Sequence, residues 1–257
     1  MSSLALKPST VVPHLAADGR YDVRIASDPK EIRSALKLRH EVFHLEMAAG
    51  DVSTAGALEF DEYDFKCRHL IVVEKCSGKT VGTYRINSIG PEQNIRSFYS
   101  YNEFTIDDLP DEVLYDGLEI GRACIAADHR NTKVLFLLWK GLANCLTRTG
   151  KRFFFGCCSI FTRDPAVGEK TYRQLASEGH FHPSFRVEPR KNALYFKSET
   201  TLGNGRIELP SLFSMYLRIG AKVCGPPMID EQFGTIDFFV IFDLQNISGK
   251  YRRMFFE

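Results

Sequence analysis

The chain has 257 residues, 44% of them hydrophobic and 25% charged, with a formal net charge of +1. That composition is ordinary for one large globular domain or two small ones, and the balanced charge argues against general nucleic-acid binding. No stretch of about 18 uncharged apolar residues exists, so no membrane-spanning helix is expected. The N-terminus, Met1 to Asp18, lacks a charged start followed by an apolar run. It reads as a loose arm through residue 19 rather than a secretory leader.

In chain order, a short strand is expected at Tyr21 to Ala26, followed by a helix opened by Asp28 as N-cap and Pro29 in its first turn. Its apolar positions run from Ile32 to Leu45 and carry it to about Met47, where an acidic loop begins and extends to Asp64. His69 to Lys75 and Thr80 to Ser88 flank a Ser77-Gly78 turn, which predicts an antiparallel hairpin. A short helix is predicted over Gln93 to Tyr101, and a long strand over Leu114 to Ala126. A polar turn at Asp128 to Thr132 leads into a helix from Lys133 to Arg148. Arg152 to Ser159 reads as an apolar strand, and Pro165 to Glu178 as a helix with Gly179 at its C-cap. A short helix over Leu212 to Arg218 ends at Gly220. The last strands are Ala221 to Val223 and Thr235 to Phe242, separated by Gly225-Pro226-Pro227. The order of elements predicts one α/β domain over residues 20–257 with a mixed, mostly antiparallel sheet flanked by helices.

Seven cysteines stand at irregular spacing with no CxxC. This is the pattern of reduced, buried thiols in a cytoplasmic protein, with neither a disulfide framework nor metal-ligand spacing. Cys157 and Cys158 lie in an aromatic strand and read as inert thiols rather than nucleophiles paired with His180 or His182.

Charge is unevenly distributed. Glu46 to Asp64 holds six acids and Glu103 to Glu119 seven, neither with a Lys or Arg, whereas Arg122 to Arg152 holds seven bases against Asp128 alone. Such runs are commonly solvated faces. The alternative reading is two acidic borders around a cationic substrate and a basic segment facing an acidic partner.

Four short motifs stand in order: Arg39-His40-Glu41-Val42-Phe43-His44-Leu45-Glu46, Asp61-Glu62-Tyr63-Asp64, Val81-Gly82-Thr83-Tyr84-Arg85, and Glu119-Ile120-Gly121-Arg122. Strand alternation places Glu119 and Gly121 on one face and Ile120 and Arg122 on the other, unless a bulge near Gly121 intervenes. Charged residues in so apolar a strand require ionic partners. Arg39, Arg85, Asp61 and Asp64 are the available ones. They can anchor the acidic loop, form an active site, or do both.

These motifs resemble those of GNAT-type N-acyltransferases, in particular the ornithine-acyl carrier protein N-acyltransferases, some relatives of which carry a hemolysin name. A more distant resemblance is to acyl-homoserine lactone synthases, through the R-x-x-V-F-x-x-E, D-x-x-D, G-x-x-R and E-x-x-R pattern. Leu138-Trp139-Lys140-Gly141-Leu142, Phe155-Gly156-Cys157-Cys158-Ser159 and the run Tyr216 to Gly225 favour the first group. The last of these lies in a C-terminal extension that the lactone synthases lack.

The resemblance implies a GNAT-like fold and transfer of a fatty acyl group, with 3-hydroxyacyl as one form, from an acyl carrier protein thioester to the α-amine of ornithine. That is the first step of ornithine lipid synthesis. It implies Glu119 as the leading base, with Glu46 close behind, Arg122 beside them, and Asp61 and Asp64 in an acidic wall. Arg39, Phe43, Arg85, Phe104, Trp139 and Ser159 are expected on the substrate side. In GNAT folds the fourth strand splays from the fifth, which here offers backbone N–H groups of Ala123 to Ala126 to the oxyanion. The turn Ala127 to Thr132 has no glycine to close on a pyrophosphate. Arg130, Asn131, Lys133 and Lys140 are therefore expected to meet the single phosphodiester and acidic surface of a carrier protein rather than coenzyme A, with no resident cofactor or metal.

Alternatives from the same motifs are an N-acyl amino acid synthase acting on glycine or another amino acid, and an autoinducer synthase using S-adenosylmethionine. A non-enzymatic hemolysin lacks any pore-forming pattern. An amphipathic product suggests transient contact with the inner membrane, for which the basic and aromatic tail Lys250 to Phe256 is a candidate.

Overall fold

A computed structural model describes residues 14–46, 57–194 and 205–257. The strands are β1 (Ala16–Ala17), β2 (Tyr21–Ile25), β3 (Arg68–Glu74), β4 (Thr80–Asn87), β5 (Gly117–Ile125), β6 (Phe153–Ile160), β7 (Lys222–Val223), β8 (Met228–Asp230) and β9 (Thr235–Asp243). The α-helices are α1 (Pro29–His40), α2 (Asp111–Tyr115), α3 (Thr132–Thr149), α4 (Pro165–Ser177), α5 (Ser211–Ile219) and α6 (Gly249–Phe256). The chain divides into two compact units, Met1–Ile86 with Arg122–Arg148, and Asn87–Gly121 with Thr149–Phe255. β5 contributes its first half to the second unit and its second half to the first.

In the first unit, β1 to β4 run antiparallel in sequence order. Asp28 caps α1 as its sequence predicts, accepting from the N–H groups of Lys30 and Glu31. The helix does not continue to Met47 in α geometry: it changes at Glu41 to a π-turn that runs through Glu46. Such turns concentrate at functional sites. Met47 and the start of the acidic loop lie outside the described residues. Gly141 of α3 and Gly82 of β4 let helix and sheet close up. A Cβ at Gly141 would stand 2.8 Å from Val23 Cγ1, and one at Gly82 would stand 3.1 Å from Val134 Cγ1.

In the second unit, β5 pairs β6 in parallel, β6 pairs β9 antiparallel along its whole length, and β7 and β8 also pair β9. Its core is aromatic and aliphatic, gathering Phe98, Phe104, Ile106, Phe153, Phe155 and Phe239 among others.

Leu114 belongs to helix α2 rather than to the strand. Val113 and Leu114 are buried on that short helix, and Gly117 then lets the chain reverse: a Cβ there would stand 2.3 Å from the Val113 carbonyl oxygen. Gln93 to Tyr101 forms two short 3-10 turns, Ile95–Ser97 and Tyr99–Asn102. Helix α6 and the short strands β1 and β8 were not legible as such.

The β5–β6 ladder covers only Gly117 to Glu119 against Phe153 to Phe155. It ends where Gly156 takes φ 155° and presses its α-carbon on the Ile120 carbonyl, with 2.3 Å between that oxygen and an added Cβ. Gly156→Ala therefore combines a backbone conformation unsuited to L side chains with a clash against backbone. It is expected to cost about 2–4 kcal/mol, readable as a lowered midpoint in urea unfolding.

Candidate active site

Three guanidinium groups and three carboxylates form one lattice in the first unit. Arg39, at the end of α1, is fully buried. It donates from Nη1 and Nη2 to the two oxygens of Asp64 at 2.6 and 3.1 Å, and from Nε to Glu59. Arg85 on β4 reaches both oxygens of Asp61 at 2.6 Å. Arg122 on β5 joins Glu59 at 3.1 Å to Asp61 at 2.9 Å. The Asp61 side chain caps the 3-10 turn Glu62–Phe65, and Asp64 answers by accepting from the Asp61 N–H. Burial pushes the Asp64 carboxyl up, but Arg39 and Arg85 pull it below the usual carboxylate range.

Arg122 occupies the left-handed region at φ 51°. The irregularity expected at Gly121 thus falls one residue later, on the arginine itself, and re-aims its side chain. Beside the lattice, His69 is buried, its ring nitrogens have no hydrogen-bond partner among the described residues, and its Nε2 is 3.8 Å from Asp64 Oδ1. Burial pushes its imidazole below the ordinary value, so it sits there neutral at pH 7.

Of the residues read from the sequence, Arg39, Asp61, Asp64, Arg85 and Arg122 therefore come together. Glu59 is the member that motif spacing missed. It stands two residues before Asp61, and its signal was the demand of two buried arginines for a third carboxylate.

Glu119 belongs to a different set, in the second unit. Its Oε1 and Oε2 accept from the backbone N–H groups of Ser100 and Tyr99 at 2.8 and 3.0 Å, fixing the turn that carries Glu103. Glu103 is buried, and one of its carboxylate oxygens lies with one oxygen each of Asp230 and Asp237, all three within 4.8 Å of one another. The Cys157 thiol donates to Glu103 at 3.0 Å. Burial, with Asp237 and Asp230 adding like charge, pushes the Glu103 carboxyl up to about 7. A carboxyl that titrates near neutrality suits proton transfer, and three grouped carboxylates suit a cation. The sequence placed Glu103 only at the start of an acidic run; its grouping with Asp230 and Asp237, more than a hundred residues away, carried no signal.

The remaining expected residues are engaged locally. Glu46 pairs with Arg130, whose Nε also donates to the Ile125 carbonyl at 3.1 Å. Asn131 caps α3 by accepting from the Lys133 and Val134 N–H groups. Lys133 pairs with Asp18 at 2.6 Å, and Lys133 and Lys140 line a shallow groove with Phe136 and Leu15. Phe43 is half-buried against Leu38, Val42 and Cys124. Phe104 and Trp139 are core residues, and Ser159 is half-buried on β6 opposite Asp237. Of the backbone N–H groups expected to face the oxyanion, that of Ala126 donates to the Val81 carbonyl. The thiols of Cys157 and Cys158 are pushed far up by burial, as inert thiols should be. The C-terminal tail is a helix whose Phe255 is buried, which fits a packing segment. Among the described residues, no helix is long and apolar enough to cross a membrane.

Comparison with known proteins places these features. The acetyltransferase (GNAT) domain family matches residues 38–140, the span that holds the lattice and the start of α3. The acyl-homoserine lactone synthase LasI superposes with a TM-score of 0.53 at 15% identity, over 93% of this chain and 96% of that one. FeeM, an N-acyl amino acid synthase from uncultured soil microbes, gives 0.51 at 11%, over 88% and 92%. The chain is a GNAT-fold acyltransferase. Along its length the acyltransferase is similar to proteins named L-ornithine N(alpha)-acyltransferase. It is 29% identical to that of Brucella abortus over 91% of this chain and 88% of the relative. It is 29% identical to that of Rhodobacter capsulatus over 93% and 96%.

Proposed function

We propose that this acyltransferase moves a fatty acyl group from an acyl carrier protein thioester to the α-amine of ornithine, the opening step of ornithine lipid synthesis. The observation that carries this reading is the near full-length similarity to ornithine acyltransferases from several bacteria. Ornithine carries two ammonium groups at neutral pH, and the grouping of Glu103, Asp230 and Asp237 is suited to such a cation.

In the reaction, the α-ammonium first gives a proton to a carboxylate. Glu103 titrates where that transfer is most effective, while Glu119, the base expected from the motif, holds the turn on which Glu103 stands. The free amine then attacks the thioester carbon, the new C–N bond forms, the C–S bond breaks, and the departing thiolate takes up the proton that the new amide nitrogen sheds. Within the first unit, Arg39, Arg85 and Arg122 hold the segment from Glu59 to Asp64 in place. Carrier protein is favoured as donor because the turn before α3 lacks the glycines a pyrophosphate needs. The reading is tested by offering the enzyme acyl carrier protein and acyl-coenzyme A donors with competing amino acids. Comparable turnover with acyl-coenzyme A removes the carrier protein, and preference for another amine removes ornithine.

A further inference from the structure

The segment 59–65 reverses the usual arrangement of a globular protein, in which charges face water and aromatic rings face the interior. Glu59 and Asp64 are buried in the arginine lattice, whereas Phe60 is 48% exposed and Phe65 81% exposed. The two rings meet edge to face with centroids 4.9 Å apart, so they form one aromatic knob. The lattice itself dictates this: with residues 59, 61 and 64 held by arginines, residues 60 and 65 have only the outward direction left. The mount is rigid, since its anchors are buried, multiply hydrogen-bonded ion pairs.

The surface beside the knob is basic. Lys66 and Arg68 follow Phe65 closely in the chain and are exposed. The exposed acid on this stretch is Glu62. An aromatic pair bordered by cations matches the interfacial layer of an anionic membrane, where rings sit among the headgroups and Lys or Arg side chains meet lipid phosphates.

We propose that Phe60 and Phe65, with Lys66 and Arg68, form a membrane-surface contact that seats this unit on anionic lipid. The inference stands apart from the choice of amine, and neither phenylalanine belongs to the ionic lattice. The test is flotation of the full chain with vesicles of phosphatidylcholine alone and of phosphatidylcholine with phosphatidylglycerol, comparing wild type, the double variant F60S/F65S, and K66E. Wild type is expected to float with the anionic vesicles. The double variant should lose at least about tenfold in partitioning, with its unfolding midpoint unchanged. K66E should weaken binding to anionic vesicles specifically. Wild-type protein that stays with the soluble fraction overturns the proposal, as does binding unaffected by the double substitution. Binding of acyl carrier protein that the double variant abolishes, with no binding to vesicles, overturns it in favour of a protein partner.

Discussion

Arg39→Ala is expected to lower the free energy of unfolding by about 3–5 kcal/mol, a large part of what a domain of this kind has in total. Arg39 is fully buried, and its removal strands both Glu59 and Asp64 without their shared cation. Arg39→Lys keeps the charge but cannot reproduce the three-point fork to two carboxylates, so an intermediate loss is expected. An exposed pair such as Arg163 with Glu231 is the contrast: its removal should change stability little. Urea unfolding of the four proteins gives the ranking directly, and an Arg39→Ala midpoint equal to that of wild type would contradict the lattice as an anchor.

Glu103→Gln is expected to cut kcat/KM for acyl transfer by about a hundredfold or more while leaving the protein folded. The same substitution has an opposite signature in stability. The folded-state value of about 7 lies above the ordinary 4.5, so the folded protein holds this proton more tightly than the unfolded chain does. The resulting stability is fully present below pH 4.5 and is lost as pH rises toward 7, amounting to about 3 kcal/mol across that window. Glu103→Gln removes that slope, because the amide does not titrate. In wild type, kcat/KM should rise as Glu103 ionises near pH 7, and this limb should be missing from the variant. A variant with full activity and an unchanged acid limb would assign the proton transfer elsewhere.

Much of the fold was legible because its signals are local. Asp28-Pro29 at a helix start, Ser77-Gly78 at a hairpin and glycines at 179 and 220 each act through their own backbone. The element that read wrongly, Leu114, sits in a helix so short that its two buried residues match a strand as well as a turn of helix. The lattice was legible too, because buried arginines in apolar strands must find carboxylates and the D-x-x-D pair was at hand. Glu59 was hidden among the other acids of the same run. Glu103 stood in the second acidic run, but its grouping was beyond reach for another reason: it comes from Asp237 and Asp230 on the β8–β9 hairpin and from Cys157 on β6, a juxtaposition that only the closed sheet creates. Glu119, by contrast, was found by motif, yet its two backbone hydrogen bonds give it a part in holding the Tyr99 to Glu103 turn that the motif does not announce.

The most direct test of the central claim uses purified protein with a 3-hydroxyacyl carrier protein thioester and equal amounts of ornithine and the twenty common amino acids. The products are read by mass spectrometry, with Glu103→Gln and Glu119→Gln in parallel. N-acyl ornithine is expected as the dominant product in wild type, strongly reduced in both variants. Acylation of glycine or another amine in its place would contradict ornithine as the acceptor, and an intact thioester in the presence of folded protein would contradict the acyl transfer itself.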